Sequence, residues 1–128
     1  MSQDLLTDQI KDAIQGAYRT WLSARDFKPR RGQREMIAQI ARTLGQAESR
    51  VCVVEAGTGT GKTAAYCLAA IPLASTIGKT VIVSTATVAL QEQVVLQDLP
   101  DLKQRAGLAF SVSLAKGRGR YMLSLIHI

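Results

Sequence analysis

The run Glu55-Ala-Gly-Thr-Gly-Thr-Gly-Lys62-Thr63 holds the residues best suited to chemistry in this 128-residue chain. Gathering a chain of phosphates takes several backbone N–H groups converging on the anion. Only residues with little or no side chain let the backbone come that close. Gly57, Gly59 and Gly61 supply this, with Ala56, Thr58 and Thr60 interleaved. A helix starting near Lys62 would aim its positive end at the same place. Lys62 is then placed to reach the β- and γ-phosphates, and Thr63 to offer its hydroxyl to Mg²⁺. The general pattern opens with Gly six positions before the Lys, where this chain has Ala56. Alanine tolerates a positive φ poorly, so ordinary dihedrals are expected there. The spacing predicts a phosphate-binding loop over 56–63, with Lys62 and Thr63 in catalytic roles and Thr63 as the metal ligand.

Two further groups of residues could bear on a nucleotide or a nucleic acid. Gln33, in Arg30-Arg-Gly-Gln33-Arg-Glu-Met36, carries an amide able to donate to and accept from an adenine edge. Taken alone, an ordinary exposed glutamine on a helix accounts for it. Thr85, Thr87, Gln91 and Gln93 follow an apolar run, where ligands of open parallel sheets sit. They suit contacts to a sugar-phosphate backbone. Helix capping by Thr87 with surface glutamines explains them equally well. The basic residues cluster at Lys28–Arg34 and at Lys116, Arg118 and Arg120. These clusters are either solvated faces or places that meet phosphate.

The elements that must position these groups follow from periodicity. Leu6, Ile10, Ala13, Ile14, Ala17 and Trp21 predict an amphipathic helix of about 20 residues, and Pro29 bars its continuation. Met36, Ile37, Ile40, Ala41 and Leu44 predict a second helix from Arg31 to Leu44, with Gly45 placed to end it. Val51–Val54 and Thr80–Thr85 are short apolar, β-branched runs that read as buried parallel strands. A third strand is expected from the alternation of Leu108, Phe110, Val112 and Leu114. Between them lie helical stretches from Lys62, kinked or ended by Pro72, and from Val88 to Leu99, closed by Pro100. Strands alternating with helices predict an α/β fold with a parallel sheet.

Composition bounds the rest. With 47% apolar and 20% charged residues, the chain has enough apolar side chain for one core. A formal charge of +6 favours an anionic partner. Cys52 and Cys67 sit in apolar stretches, with no Cys-x-x-Cys, and are expected free in a reducing compartment. The N-terminus lacks the pattern of a signal peptide, and no apolar stretch reaches the ~18 residues of a membrane span. A soluble cytoplasmic protein with no membrane partner is expected.

Five blocks in order carry a resemblance: Arg-x-Gly-Gln-x-x-Met, Glu-Ala-Gly-Thr-Gly-Thr-Gly-Lys-Thr, Ser-Thr-Ala-Thr-Val-Ala-Leu-Gln-Glu-Gln, Gln-Asp-Leu-Pro and Lys-Gly-Arg-Gly-Arg-Tyr. The chain resembles the first motor lobe of XPD-like superfamily 2 DNA helicases, most nearly the DinG branch. The resemblance implies a P-loop NTPase (RecA-like) parallel sheet, present as a partial lobe preceded by two helices. It implies ATP and Mg²⁺ as cofactors, Gln33 as an adenine-sensing residue, and single-stranded DNA tracked by Thr85, Thr87, Gln91 and Gln93, with Lys116, Arg118 and Arg120 as further DNA-binding residues. Movement would run 5′ to 3′, by a protein monomeric when intact.

The departures from that pattern also set expectations. The family's [4Fe–4S] cluster needs four cysteines, and none follows Cys67 here. No acidic pair suited to Mg²⁺ and water follows Thr63, and a second lobe is lacking. Residues 1–121 would therefore form a partial ATP-binding lobe, with helices in 1–48 and a half-sheet in 49–121. Residues 122–128 would be a truncated or foreign tail, and the fragment would be inactive by itself. A small P-loop kinase and a non-catalytic nucleic-acid-binding module are the alternatives.

Overall fold

Four of the expected helical stretches form, and they pack on one another. The computed structural model describes residues 5–48, 50–57 and 61–117. Helix α1 spans Asp8–Ala24, α2 Arg31–Gly45 and α3 Lys62–Ile77. Short α4, Val88–Gln93, runs through a π-helical turn at Val94–Asp98 into α5, Leu99–Arg105.

Helix α1 starts where Thr7 accepts a hydrogen bond from the Ile10 amide at 3.3 Å, with Asp8 in the first turn to complement the helix dipole. It stops at Asp26, whose φ of 54° is a left-handed value that Asp tolerates. Helix α3 is apolar on nearly every side, as suits a central helix. Ala65, Cys67, Leu68, Ala69 and Leu73 are all buried in it. Around it pack Ile10, Ile14, Ala17, Trp21 and Leu22 of α1, Met36, Ile37 and Ala41 of α2, and Leu102 of α5.

Two local expectations are corrected. Of the kink or end expected at Pro72, the end is corrected: α3 continues to Ile77 and closes at Gly78 in the left-handed conformation, φ 66°. The packing of Leu68, Ala69 and Leu73 outweighs one missing backbone donor. Pro100 does not close the Val88 helix. It stands in the first turn of α5, where no N–H is required, and the wider π turn before it carries the chain through.

The larger correction concerns the sheet. Among the described residues there is no strand, so the α/β, RecA-like parallel sheet expected from the sequence is not present. The runs 51–54, 80–85 and 108–114 carry no regular structure. Their side chains show why: Val53 is 93% exposed and Ile82 87% exposed. A strand is stabilised by cross-strand pairs and by burial, and here neither is supplied. The helices have instead buried one another's apolar faces, leaving 51–54 and 80–85 outside the core, with Leu108 of the third run packed against its edge.

Cys67 lies within that core, and burial pushes its thiol up to about 12, with the nearby negative charge of Asp98 adding to the shift. Roughly one thiol in ten thousand would be ionised at pH 8, and only the thiolate is nucleophilic. Native protein treated with a thiol reagent at that pH is therefore expected to label at Cys52, which is partly exposed, and at Cys67 only after denaturation. Mass spectrometry of the labelled peptides checks this, and labelling of both cysteines at one rate would contradict it.

Candidate functional site: the head of helix α3

The residues singled out at 61–63 meet Gln33 across a cavity of about 250 Å³. Gly61 caps α3 with φ 79°, a left-handed value that glycine adopts at no steric cost. The Gln33 side-chain amide donates to the Gly61 carbonyl at 3.1 Å, and its carbonyl oxygen accepts from the Tyr18 hydroxyl at 3.0 Å. Gln33 is thus no ordinary exposed helix residue: it is 2% exposed and joins α1, α2 and the loop before α3. Sequence periodicity placed it on α2 but gave no sign of this burial.

Lys62 and Thr63 line the same cavity with Lys28 and Arg30. Thr63 is hydrogen-bonded to Tyr66, whose hydroxyl is raised above its ordinary pKa chiefly by burial. Asp98 and Gln93 form another part of the wall. The Asp98 carboxyl is held above the usual carboxylate range by burial and then by the charge of Asp101. Its Oδ2 is buried with no hydrogen-bond partner among the described residues. With Arg25 also in the wall, four cations face one acid among the described residues, a balance of +3.

Below this wall lies a cluster that sequence reading missed. Asp101 accepts from the Trp21 indole N–H at 2.7 Å and from Arg25 at 3.1 Å, both through Oδ2. Its Oδ1 pairs with Arg105 at 3.1 Å. The Arg25 guanidinium also lies over the Phe27 ring, 4.6 Å from its centroid. Sequence reading gave no sign of this role for Asp101, because 80 residues separate it from Trp21.

The other expected site residues are dispersed. Ala56 takes an ordinary φ and packs on the core rather than into the cavity, and Gly57 is exposed. Thr58, Gly59 and Thr60 lie outside the described residues, as do Arg118, Arg120 and the tail 122–128. Thr87 accepts from the Leu90 amide at 3.2 Å, which is helix capping. Thr85 donates to the Thr87 carbonyl, and Gln91 to the Ala115 carbonyl at 3.0 Å, close in sequence to Lys116.

Comparison with known proteins sets this geometry in a family. The family model for "DEAD/DEAH box helicase" matches residues 30–123. The chain belongs to the DEAD/DEAH box helicase family. It is similar to the ATP-dependent DNA helicase DinG of Photobacterium profundum, 46% identical over 121 residues, 91% of this chain and 18% of that protein. The same-named proteins of Escherichia coli K12 and Salmonella typhimurium LT2 are each 48% identical over 98 residues, 76% of this chain and 13% of theirs. The chain thus spans less than a fifth of the length of these relatives.

Family membership does not carry the motor with it. The expected DinG-type, XPD-like lobe is corrected by the helical structure, since such a lobe requires a RecA-like sheet. A triphosphate loop needs a strand whose end fixes the loop amides ahead of the helix, and residues 50–57 form none. The expectations of ATP and Mg²⁺ as cofactors, ATP hydrolysis, and ATP-driven tracking of single-stranded DNA rested on that architecture and are withdrawn with it. Among the described residues, no group of three or more His, Cys, Asp or Glu side chains could hold a metal ion. No helix among them is long and apolar enough to cross a membrane.

Proposed function

We propose that this chain is a non-catalytic, helical binding module that takes a single phosphate-type anion in the cavity at the head of α3. The observation that carries the reading is the Gln33–Gly61 bond, which fixes α2 against the start of α3 and so gathers Lys62, Thr63, Lys28 and Arg30 around one space. The four α3 amides without intrahelical partners and the helix dipole favour an anion there. Size narrows the ligand. At about 250 Å³ the cavity falls below the ~300–1,000 Å³ typical of sites for drug-sized molecules, so a phosphate group with its waters fits better than a larger ligand. Lys62 supplies the mobile charge and Thr63 a hydroxyl donor, while Gln33 acts by positioning. A cytoplasmic location completes the reading, supported by two free thiols of the kind a reducing compartment keeps.

The test is a titration of the 128-residue chain with inorganic phosphate at constant ionic strength, followed by amide chemical shifts. Lys62→Ala is expected to weaken binding at least about tenfold, the effect of losing one charge-assisted hydrogen bond. Lys79→Ala, past the other end of α3, should leave it unchanged. Equal weakening by both variants would mean that phosphate senses overall charge, and the reading would be lost.

A further inference from the structure

Helices α1 and α2 both rest on α3, and between them runs an open groove of about 1280 Å³. Its floor is apolar, with Ile14 from α1 and Ile37 from α2. Its walls are basic. Lys11 and Arg19 stand eight residues apart on α1, and Arg34 and Arg42 eight apart on α2. Eight helical residues rise about 12 Å, so each of these pairs stands roughly two turns apart, and α2 adds Arg31 to its wall. Arg31 is paired with Glu35 at 2.7 Å, and Lys11 reaches Asp8 at 3.9 Å. Among the described residues no ion pair engages Arg19, Arg34 or Arg42.

We infer that this groove docks an acidic amphipathic helix of a partner protein, its acidic residues aligned with Arg19, Arg34 and Arg42. Three features select that occupant. A helix with side chains is about 10 Å across, so 1280 Å³ corresponds to about 16 Å of such a cylinder, or roughly 11 residues. Cations repeated at two-turn spacing on both walls match carboxylates repeated at helical spacing on an inserted helix. Among the described residues Glu35 is the one acid in the lining, so the charge complementarity is with an acidic partner. Single-stranded nucleic acid is disfavoured because its bases need aromatic faces to stack on. Tyr18, the only aromatic side chain lining the groove among the described residues, is buried and bonded to Gln33.

The floor residues are almost fully buried already, so binding should be driven mainly by charge and should fall steeply with salt. The experiment uses the whole chain and a labelled synthetic peptide of about 12 residues with a leucine stripe flanked by glutamates, read by fluorescence anisotropy and circular dichroism. The peptide is expected to gain helicity on binding. Arg34→Glu with Arg42→Glu should weaken it at least tenfold, and Arg19→Glu on the opposite wall should weaken it too. Far-UV circular dichroism checks that each variant folds, and the two walls give independent readings should one not. Equal binding of a peptide with glutamine in place of glutamate would overturn the inference. So would unchanged affinity in folded variants of either wall. Displacement of the peptide by a thymidine oligonucleotide with the same arginine dependence would reassign the groove to nucleic acid.

Discussion

Asp101→Ala is expected to lower the unfolding free energy by about 2–4 kcal/mol, most of it through Trp21. The carboxylate is 19% exposed and serves three donors from two helices. Arg25 and Arg105 are partly exposed and can turn to water when the acid is removed, so their share is small. The Trp21 indole has no such freedom. It is buried between α1 and α5, and its N–H would be left without an acceptor. A hydrogen bond to a charged group contributes about 1.5–3 kcal/mol, and an orphaned buried donor costs a similar amount. For a domain of this size the loss corresponds to a fall in melting temperature of roughly 10 °C. Asp101→Asn keeps an acceptor but loses the charge, and should fall between wild type and alanine. Thermal melts followed by circular dichroism, with Trp21 fluorescence as the local probe, read both effects. An unchanged melting temperature in Asp101→Ala would show that water replaces the carboxylate and that the cluster contributes nothing.

The same cluster shows why the sequence yielded its helices and not its tertiary chemistry. The stripes of α1 and α2 recur every three to four residues, and burial of one face enforces that period locally. Arg31 opens α2 where the pattern places it, and Trp21 lies on the stripe of α1. The Trp21–Asp101 bond, by contrast, joins residues with no periodic relation, and single-sequence reading offers no signal for it. Gln33 stands in the same position: its register on α2 is legible, but its burial depends on where Tyr18 and Gly61 arrive from two other segments.

The expected strands failed for a different physical reason. Val51–Val54 and Thr80–Thr85 have the composition of buried strands, but composition is a local property, while a parallel ladder forms only between distant segments. In this chain the helices bury one another's apolar faces, and Val53 and Ile82 of the strand-like runs are left exposed. The resemblance compounded the expectation: it named a sheet for proteins more than five times as long, and the family's sequence blocks are present here without it. Gly61 was expected to let the backbone approach phosphate, and its role as the left-handed cap of α3 was not read from the sequence. A glycine directly before a helix, in a glycine-spaced run, has few structural explanations, and a left-handed cap is one of them.

Gly61→Ala should therefore be among the most disruptive substitutions in the chain, costing about 2–4 kcal/mol. Two terms add. Holding alanine at φ 79° costs about 1–2 kcal/mol. The new Cβ would also overlap the Gln33 side-chain nitrogen, so that amide must leave the Gly61 carbonyl while still enclosed by Tyr18 and the helices. Losing a buried hydrogen bond in this way costs a further ~1–2 kcal/mol. The two terms can be separated. Gln33→Ala alone removes the bond and leaves the Tyr18 hydroxyl without its acceptor. In Gly61→Ala combined with Gln33→Ala the overlap no longer exists, so only backbone strain is added to the loss already incurred. The double variant should then be more stable than the sum of the singles predicts by about 1 kcal/mol, which denaturant melts resolve. Strict additivity would mean that the loop before α3 shifts away from Gln33 at little cost. Phosphate binding should follow the same order, since both substitutions loosen the hold of α2 on the head of α3 without removing Lys62.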